Sequence, residues 1–371
     1  MPTHYLKNLG LSAVSVLITL IALEIALRLY GYNPLPDWRM RNFALRPSFS
    51  PDLKYELTPG ASGRMWGTDL KINSQGFRGP EPSSDPAVQR VIVLGDSITF
   101  GNNLALEETF PFQLQQQLST PGRNLEVLNF GVHGYDTLQE VSLLELRGLG
   151  YHPDLVVVTY CLNDVSISSV SLEHIQRMQR LRTAPYNFLF ESRLVDLIAE
   201  SMETLRLKHW EKQVNDPAVF RREYANQIDA IGDDESDLLG LMAQAPTWPN
   251  STWYGDRDRV GRVRFGFRRL AGLAQENGFP VVIMIIPLLQ DRGGADSRTY
   301  THGVAHRIVE LEARRAGLDT IDLTDDFMRV GMGKLRLTRG DIFHPNKTGN
   351  AIMATSLATY VDQHLKPRPG P

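Results

Sequence analysis

Hydrophobic positions along the 371-residue chain follow three successive patterns. The first is a nearly unbroken apolar run: Leu9 to Leu23 carries no charge over about fifteen positions, and apolar character continues through Ile25, Ala26, Leu27, Leu29 and Tyr30. Only Glu24 and Arg28 interrupt it, and on a helix these two lie four apart on one face, where they can pair. The second pattern, from Pro34 to about Arg90, is broken by Pro, Gly and Ser in PLPDW, SFSPDL, LTPG and PEPSSDP, which reads as a tether with short strands. Within it, LKINSQGFRG from Leu70 to Gly79 predicts a strand entering a glycine turn that packs on the edge of the main domain.

The third pattern is a regular alternation. Short apolar runs at Arg90 to Leu94, Leu125 to Phe130, Asp154 to Tyr160, Pro280 to Ile286 and Thr320 to Leu323 have the length and β-branched content of strands buried on both faces. Helical periodicity fills the gaps at Glu108 to Ser119, Thr137 to Leu149, Val260 to Asn277, Thr301 to Ala316 and Lys347 to Lys366, with Gly278 and Gly317 placed as stops. Such alternation implies a parallel sheet covered on both sides, an α/β three-layer αβα sandwich. From about Val165 to Arg259 no strand is predicted, and the helical periodicity of NFLFESRLVDLIAESMETLRLKHW points to a helical cap insertion. Its Phe188, Phe190, Trp210, Trp248 and Trp253 either line a cleft or bury the insertion on the sheet, and packing is the commoner fate of such residues. The chain thus divides into an N-terminal transmembrane anchor (1–33), a Pro/Gly-rich tether with short strands (34–89), a main domain (90–366) with its insertion at about 165–259, and a tail (367–371).

With Glu24 and Arg28 included, the apolar run reaches about 24 residues, enough to cross a bilayer, whereas Leu9 to Leu23 alone resembles the core of a signal peptide. An uncleaved anchor is favoured over a signal peptide or a buried helix. No small-x-small cleavage pattern follows, and Tyr30, Tyr32 and Trp38 are spaced like an interfacial aromatic belt. Lys7 before the span against Arg28, Arg39, Arg41 and Arg46 after it would by itself put the bulk of the chain in the cytoplasm.

Composition narrows the function classes. Lys and Arg number 39 against 42 Asp and Glu, a net charge of -3 that offers no general attraction for nucleic acid. The single cysteine, Cys161, forms no intramolecular disulfide, rules out a cysteine-rich zinc site and reads as a small buried residue at a strand end. Asp322, Asp325 and Asp326 read as a solvated acidic loop, since no histidine lies near them in sequence to make a metal site. No cofactor and no metal are expected.

In an open parallel sheet, ligands gather at the carboxyl ends of strands, so the residues directly after each strand carry the chemistry. VIVLGDSITFG puts Ser97 just past a strand, in a glycine-framed turn ahead of a helix; it is not the G-x-S-x-G elbow, because Thr99 replaces the second glycine. Asp96 beside it reads as a structural turn residue. LNFGVHGYDT offers Gly131 and Gly134, where the backbone can approach a ligand, and His133 between them is left without an assigned role. VVVTYCLNDV places Asn163, a neutral donor, past the central strand. GDIFHPNKTGN carries Asp341 and His344 three apart, so a carboxylate can hold one ring nitrogen while the other faces a nucleophile. Taken singly, Ser97 and His344 could merely cap helices, and Gly134 and Asn163 could merely form turns.

Together the four blocks, Gly95-Asp96-Ser97, Gly134, Asn163-Asp164 and Asp341-Ile342-Phe343-His344, resemble the SGNH (GDSL) hydrolase family over about Arg90 to Lys366. One departure is Cys161, where the third block usually begins with glycine. The resemblance implies the flavodoxin-like sandwich of that family, Ser97 as nucleophile, His344 as general base and then acid, and Asp341 as its orienting group. It also implies an oxyanion hole from the amides of Ser97 and Gly134 and the side chain of Asn163. The expected activity is serine esterase action on an acyl ester, such as acetyl, of a carbohydrate or lipid. Two alternatives are an O-acyltransferase passing the acyl group to a sugar hydroxyl and a non-catalytic membrane-anchored scaffold. Expected partners are that small ester and the membrane through the N-terminal helix, with no nucleic acid. The resemblance and a cell-surface acyl substrate favour a single-pass protein with an extracytoplasmic catalytic domain, against the charge count.

Overall fold

The computed structural model describes residues 3–32, 44–65, 68–167, 170–183, 189, 192–245, 252–290 and 300–365. The apolar run forms one long helix, α1 (Thr3–Leu29), in which Lys7–Leu29 is long and apolar enough to cross a membrane and buries none of that window in the protein. The predicted pair forms, with Arg28 Nε 2.6 Å from Glu24 Oε1. Trp38 of the predicted aromatic belt lies outside the described residues.

Two small antiparallel pairs follow, β1 (Leu45–Pro47) with β2 (Tyr55–Leu57) and β3 (Ser62–Met65) with β4 (Thr68–Lys71). They are more than a tether: Leu45, Tyr55, Leu57, Ile72 and Phe77 belong to the same hydrophobic core as the main sheet. As predicted for the Leu70 to Gly79 segment, Phe77 stacks on Phe130 of the main sheet's edge with ring centres 4.0 Å apart. The buried Arg78 donates to the carbonyls of Phe100 (2.8 Å) and Leu104 (2.5 Å).

The main domain begins with β5 (Gln89–Gly95), α2 (Ser97–Phe100), α3 (Phe110–Leu118), β6 (Leu125–Gly131), α4 (Thr137–Leu146) and β7 (Leu155–Cys161). The insertion then supplies α5 (Leu172–Thr183), α6 (Arg193–Val214), α7 (Pro217–Tyr224) and α8 (Ser236–Ala243), with no strand among its described residues. The chain returns through α9 (Arg257–Asn277), β8 (Val281–Ile286), α10 (Gly303–Arg315), β9 (Asp319–Asp322), α11 (Thr324–Val330) and α12 (Lys347–His364).

The five strands β5 to β9 pair in parallel in the order β6-β5-β7-β8-β9. α3 packs with α12, and α4 and α10 pack with α9, so with crossovers of the usual right hand the two groups cover opposite faces of the sheet. All residues of β5, β7 and β8 are buried, as a sheet covered on both sides requires. The predicted last strand departs from this. It starts one residue earlier, and as an edge strand none of its residues is fully buried. The chain leaves β5 first toward β6 and then back past it to β7, so the order reverses beside β5, where a crevice opens at the strands' carboxyl ends.

Candidate active site

Ser97 opens α2 directly after β5. The turn is held by Asp96, whose Oδ1 accepts from the Ile98 N–H at 2.9 Å as the helix N-cap, and by Gly95 at φ 156°. A side chain at Gly95 would put its Cβ 2.1 Å from Thr99 Oγ1, so the turn needs glycine for both backbone and space. From the opposite end of the chain, the loop before α12 brings His344 Nε2 to 2.9 Å from Ser97 Oγ. His344 Nδ1 lies 2.8 Å from Asp341 Oδ2, while Asp341 Oδ1 accepts the backbone N–H groups of Phe343 (2.9 Å) and His344 (3.0 Å). The three-residue spacing therefore works by having one carboxylate bind both the turn and the ring.

These contacts set the protonation of the pair. Burial acts to raise Asp341, but the hydrogen bonds and charge of His344 outweigh it and hold the carboxyl below its ordinary range. Burial likewise acts to lower His344, and the hydrogen bond and charge of Asp341, with the charge of Asp96, reverse it and raise the imidazole above 6.5.

Gly134 turns the chain at φ 76° on the other side of Ser97, and the N–H groups of Ser97 and Gly134 have no acceptor among the described residues. Asn163, in the turn after β7, donates from Nδ2 to Asp96 Oδ2 at 3.3 Å, and its buried Oδ1 has no partner among the described residues. Asp96 thus does more than form a turn: the same Oδ2 lies 3.4 Å from Ser97 Oγ, and burial raises its pKa. Cys161, at the departure from the usual third block, is buried at the end of β7. Its N–H donates to Asp164 Oδ2 at 2.8 Å and its carbonyl accepts from the Asp164 N–H at 2.9 Å, closing the turn that presents Asn163.

Ser97, Gly134, Asn163 and His344 line one cavity of about 270 Å³, together with Asp96, His133, Ser166 and Phe343. The insertion adds Glu211 from α6, and Trp253 just ahead of α9. Trp253 also packs against the main core, so it does both jobs, whereas Trp210 packs with Phe220 and Tyr224 inside the insertion. Phe188, Phe190 and Trp248 lie outside the described residues. His133, which has no role assigned from the sequence, lines the cavity, with Nδ1 2.7 Å from Asn102 Nδ2. Glu211 had no signal in the sequence, since it is one charged residue among many on a polar helix. A second cavity of about 280 Å³ lies against β6 and is lined by none of these groups.

Two readings change. Gly131 is required by packing and not by a ligand: a Cβ there would sit 2.2 Å from the Phe100 backbone nitrogen. Asp322 is not in a solvated loop. It ends β9 and pairs with His306 Nδ1 at 2.9 Å, while Asp325 and Asp326 lie in the first turn of α11.

A parallel-sheet sandwich with a serine, a histidine and a carboxylate in contact at the crevice has the parts of a serine-dependent acyl hydrolase, and the family match makes it an ester-hydrolysing enzyme. The chain belongs to the GDSL-like lipase/acylhydrolase family, whose profile matches residues 93–352. Similar solved structures include an acetyl xylan esterase, 16% identical, covering 73% of this chain and 99% of its own with a TM-score of 0.41. Another is the lipase/acylhydrolase from Enterococcus faecalis, 14% identical, covering 76% and 100% with a TM-score of 0.40. The acetylxylan esterase Axe2 from Geobacillus stearothermophilus, seen as a catalytic mutant, is 13% identical and covers 77% and 100% with a TM-score of 0.41. No curated protein matches the sequence.

Proposed function

We propose that this enzyme hydrolyses an acyl ester, such as acetyl, of a carbohydrate or lipid through an acyl-serine intermediate. The observation that carries the reading is the unbroken contact from Asp341 Oδ2 to His344 (2.8 Å) and from His344 Nε2 to Ser97 Oγ (2.9 Å). His344 Nε2 takes the Ser97 proton as Oγ bonds to the ester carbonyl carbon, because a neutral hydroxyl is a poor nucleophile. The oxyanion is held by the Ser97 and Gly134 N–H groups and by the Asn163 amide, which turns from Asp96 toward the new charge. His344 then gives its proton to the departing alcohol, and a water repeats the sequence to free the acid and Ser97. Asp341 keeps the ring in the tautomer whose Nε2 can accept.

The N-terminal helix is read as a single-pass anchor with the catalytic domain outside the cytoplasm. What supports its role as more than a leash is its contact with the cap. Glu24 accepts from Ser192 Oγ (2.9 Å) and the N–H groups of Arg193 (3.1 Å) and Leu194 (2.9 Å), and Tyr32 donates to Glu200 at 3.1 Å. Both partners advance by eight residues, so α6 runs alongside α1 and away from its apolar part. Protease access to a C-terminal tag on intact cells tests the side.

Replacing Ser97 with Ala tests the chemistry. Turnover of p-nitrophenyl acetate and labelling by a fluorophosphonate are both expected to vanish, and hydrolysis that persists in S97A would refute the assignment. Acyl transfer to an added sugar that outruns hydrolysis would replace the hydrolase reading with a transferase one.

A further inference from the structure

The cap contributes one charged side chain to the catalytic cavity that the steps above leave unused. Glu211 stands in the last turn of α6, exposed, and lines the cavity with Ser97 and His344. Its carboxylate has no hydrogen bond or ion pair among the described residues, while its backbone carbonyl accepts from the N–H (3.1 Å) and side-chain amide (2.9 Å) of Asn215. Asn215 is in turn gripped by the buried Arg259, which donates to its Oδ1 at 3.0 Å and its carbonyl at 2.9 Å. The same guanidinium lies 5.4 Å from the ring centre of Trp253, the aromatic residue lining that cavity. One buried cation therefore fixes both the helix end that bears Glu211 and the indole.

The electrostatics of the cavity are one-sided. Its lining has three carboxyl residues, Asp96, Asp136 and Glu211, and no lysine or arginine among the described residues. Asp136 is offset by Arg262, whose Nη2 is 3.1 Å from it, and Asp96 is buried, so Glu211 is the exposed carboxylate of the lining with no ion pair among the described residues. A carboxylate held there accepts hydrogen bonds from hydroxyl groups, offers nothing to a phosphate or carboxylate, and repels both. Along α6, nineteen residue steps lead from Ser192, bound to Glu24 of the N-terminal helix, to Glu211, about 28 Å at 1.5 Å per residue.

Building on the esterase reading, we infer that Glu211 is a specificity-determining residue that directs the enzyme to esters whose alcohol part is a neutral sugar, bound by its hydroxyls to Glu211 against Trp253, and that rejects anionic esters. The test is a competition between the O-acetyl esters of methyl glucoside and of methyl glucuronoside, one ring without and one with a carboxylate. The ratio of their kcat/KM values does not depend on how much enzyme is folded, so a variant that merely folds poorly leaves it unchanged. The full chain in detergent should prefer the neutral sugar by about tenfold or more, equivalent to about 1.4 kcal/mol. E211Q should bring the ratio close to one, and E211K should invert it.

An identical ratio in all three proteins would overturn the inference. Failure of the enzyme to act on either sugar, while it turns over p-nitrophenyl acetate in a Ser97-dependent way, would also overturn it and leave the esterase reading standing. Loss of both would take down the esterase reading as well.

Discussion

Changing Asp341 to Asn probes the relay at its most informative point, because the substitution keeps the local fold and alters only charge and donor pattern. The Asn Oδ1 can still accept the N–H groups of Phe343 and His344, so the turn before α12 has no reason to open. Its amide, however, faces His344 Nδ1 where a carboxylate stood at 2.8 Å, and favours the tautomer with the proton on Nε2, which cannot accept from Ser97. A full charge at that separation stabilises the imidazolium by about 6 kcal/mol at an effective dielectric of about 20. About a quarter of the His344 side chain meets water, and screening lowers the useful part to about 4 kcal/mol, or about a 10³-fold loss of kcat.

The pH profile carries a second, independent readout. In the native enzyme His344 lies above 6.5, so its base form, and with it kcat/KM, grows as pH rises through that raised value. Without the Asp341 charge, burial governs the ring and lowers its pKa, so the acid limb should move to lower pH even as the plateau falls. Stopped-flow or steady-state hydrolysis of p-nitrophenyl acetate across pH 5 to 9, a range of about four units around the ordinary imidazole value, gives both numbers. A loss below about tenfold with an unmoved acid limb would refute the relay.

Three further outcomes are expected. Asn163→Ala removes one of the three proposed oxyanion donors and should lower kcat by about 10²–10³-fold, with KM changed far less; equal effects on both would point to a binding role instead. Gly131→Ala forces a Cβ to 2.2 Å from the Phe100 nitrogen and 2.6 Å from the Thr99 carbonyl carbon, so urea unfolding should report a loss of about 1–3 kcal/mol or more, and an unchanged midpoint would contradict the packing argument. Glu24→Ala strips the acceptor from the first turn of α6, and hydrogen exchange should quicken at Arg193 and Leu194 by an amount equivalent to about 1 kcal/mol, while unchanged exchange would mean that the contact carries no weight.

The sheet was legible because β5, β7 and β8 are buried on both faces, which leaves uninterrupted apolar runs in the sequence. β9 was harder to bound, since an edge strand with Asp at both ends carries little of that signal. Ser97, Gly134, Asn163 and His344 could be picked out because each follows a strand or precedes a helix at the crevice, where polar residues are otherwise out of place. Asp96 was read only as a turn residue, because its second oxygen meets Asn163 through a contact 67 positions away. Glu211 was invisible for a related reason: it reaches the cavity only through the docking of an entire insertion. Gly131 was noticed for its residue type but given the wrong cause, as its neighbour is the backbone of α2.

The side-by-side course of α1 and α6 bears on how this enzyme should be handled. Cutting the polypeptide after Tyr32 would remove the carboxylate completing the start of α6. That leading turn would fray, while the far end of the same rod, at the rim of the catalytic cleft, stays pinned through Asn215 and Arg259. A truncated preparation would then keep the nucleophile and the cleft's rim, and lose order where the cap meets the N-terminal helix.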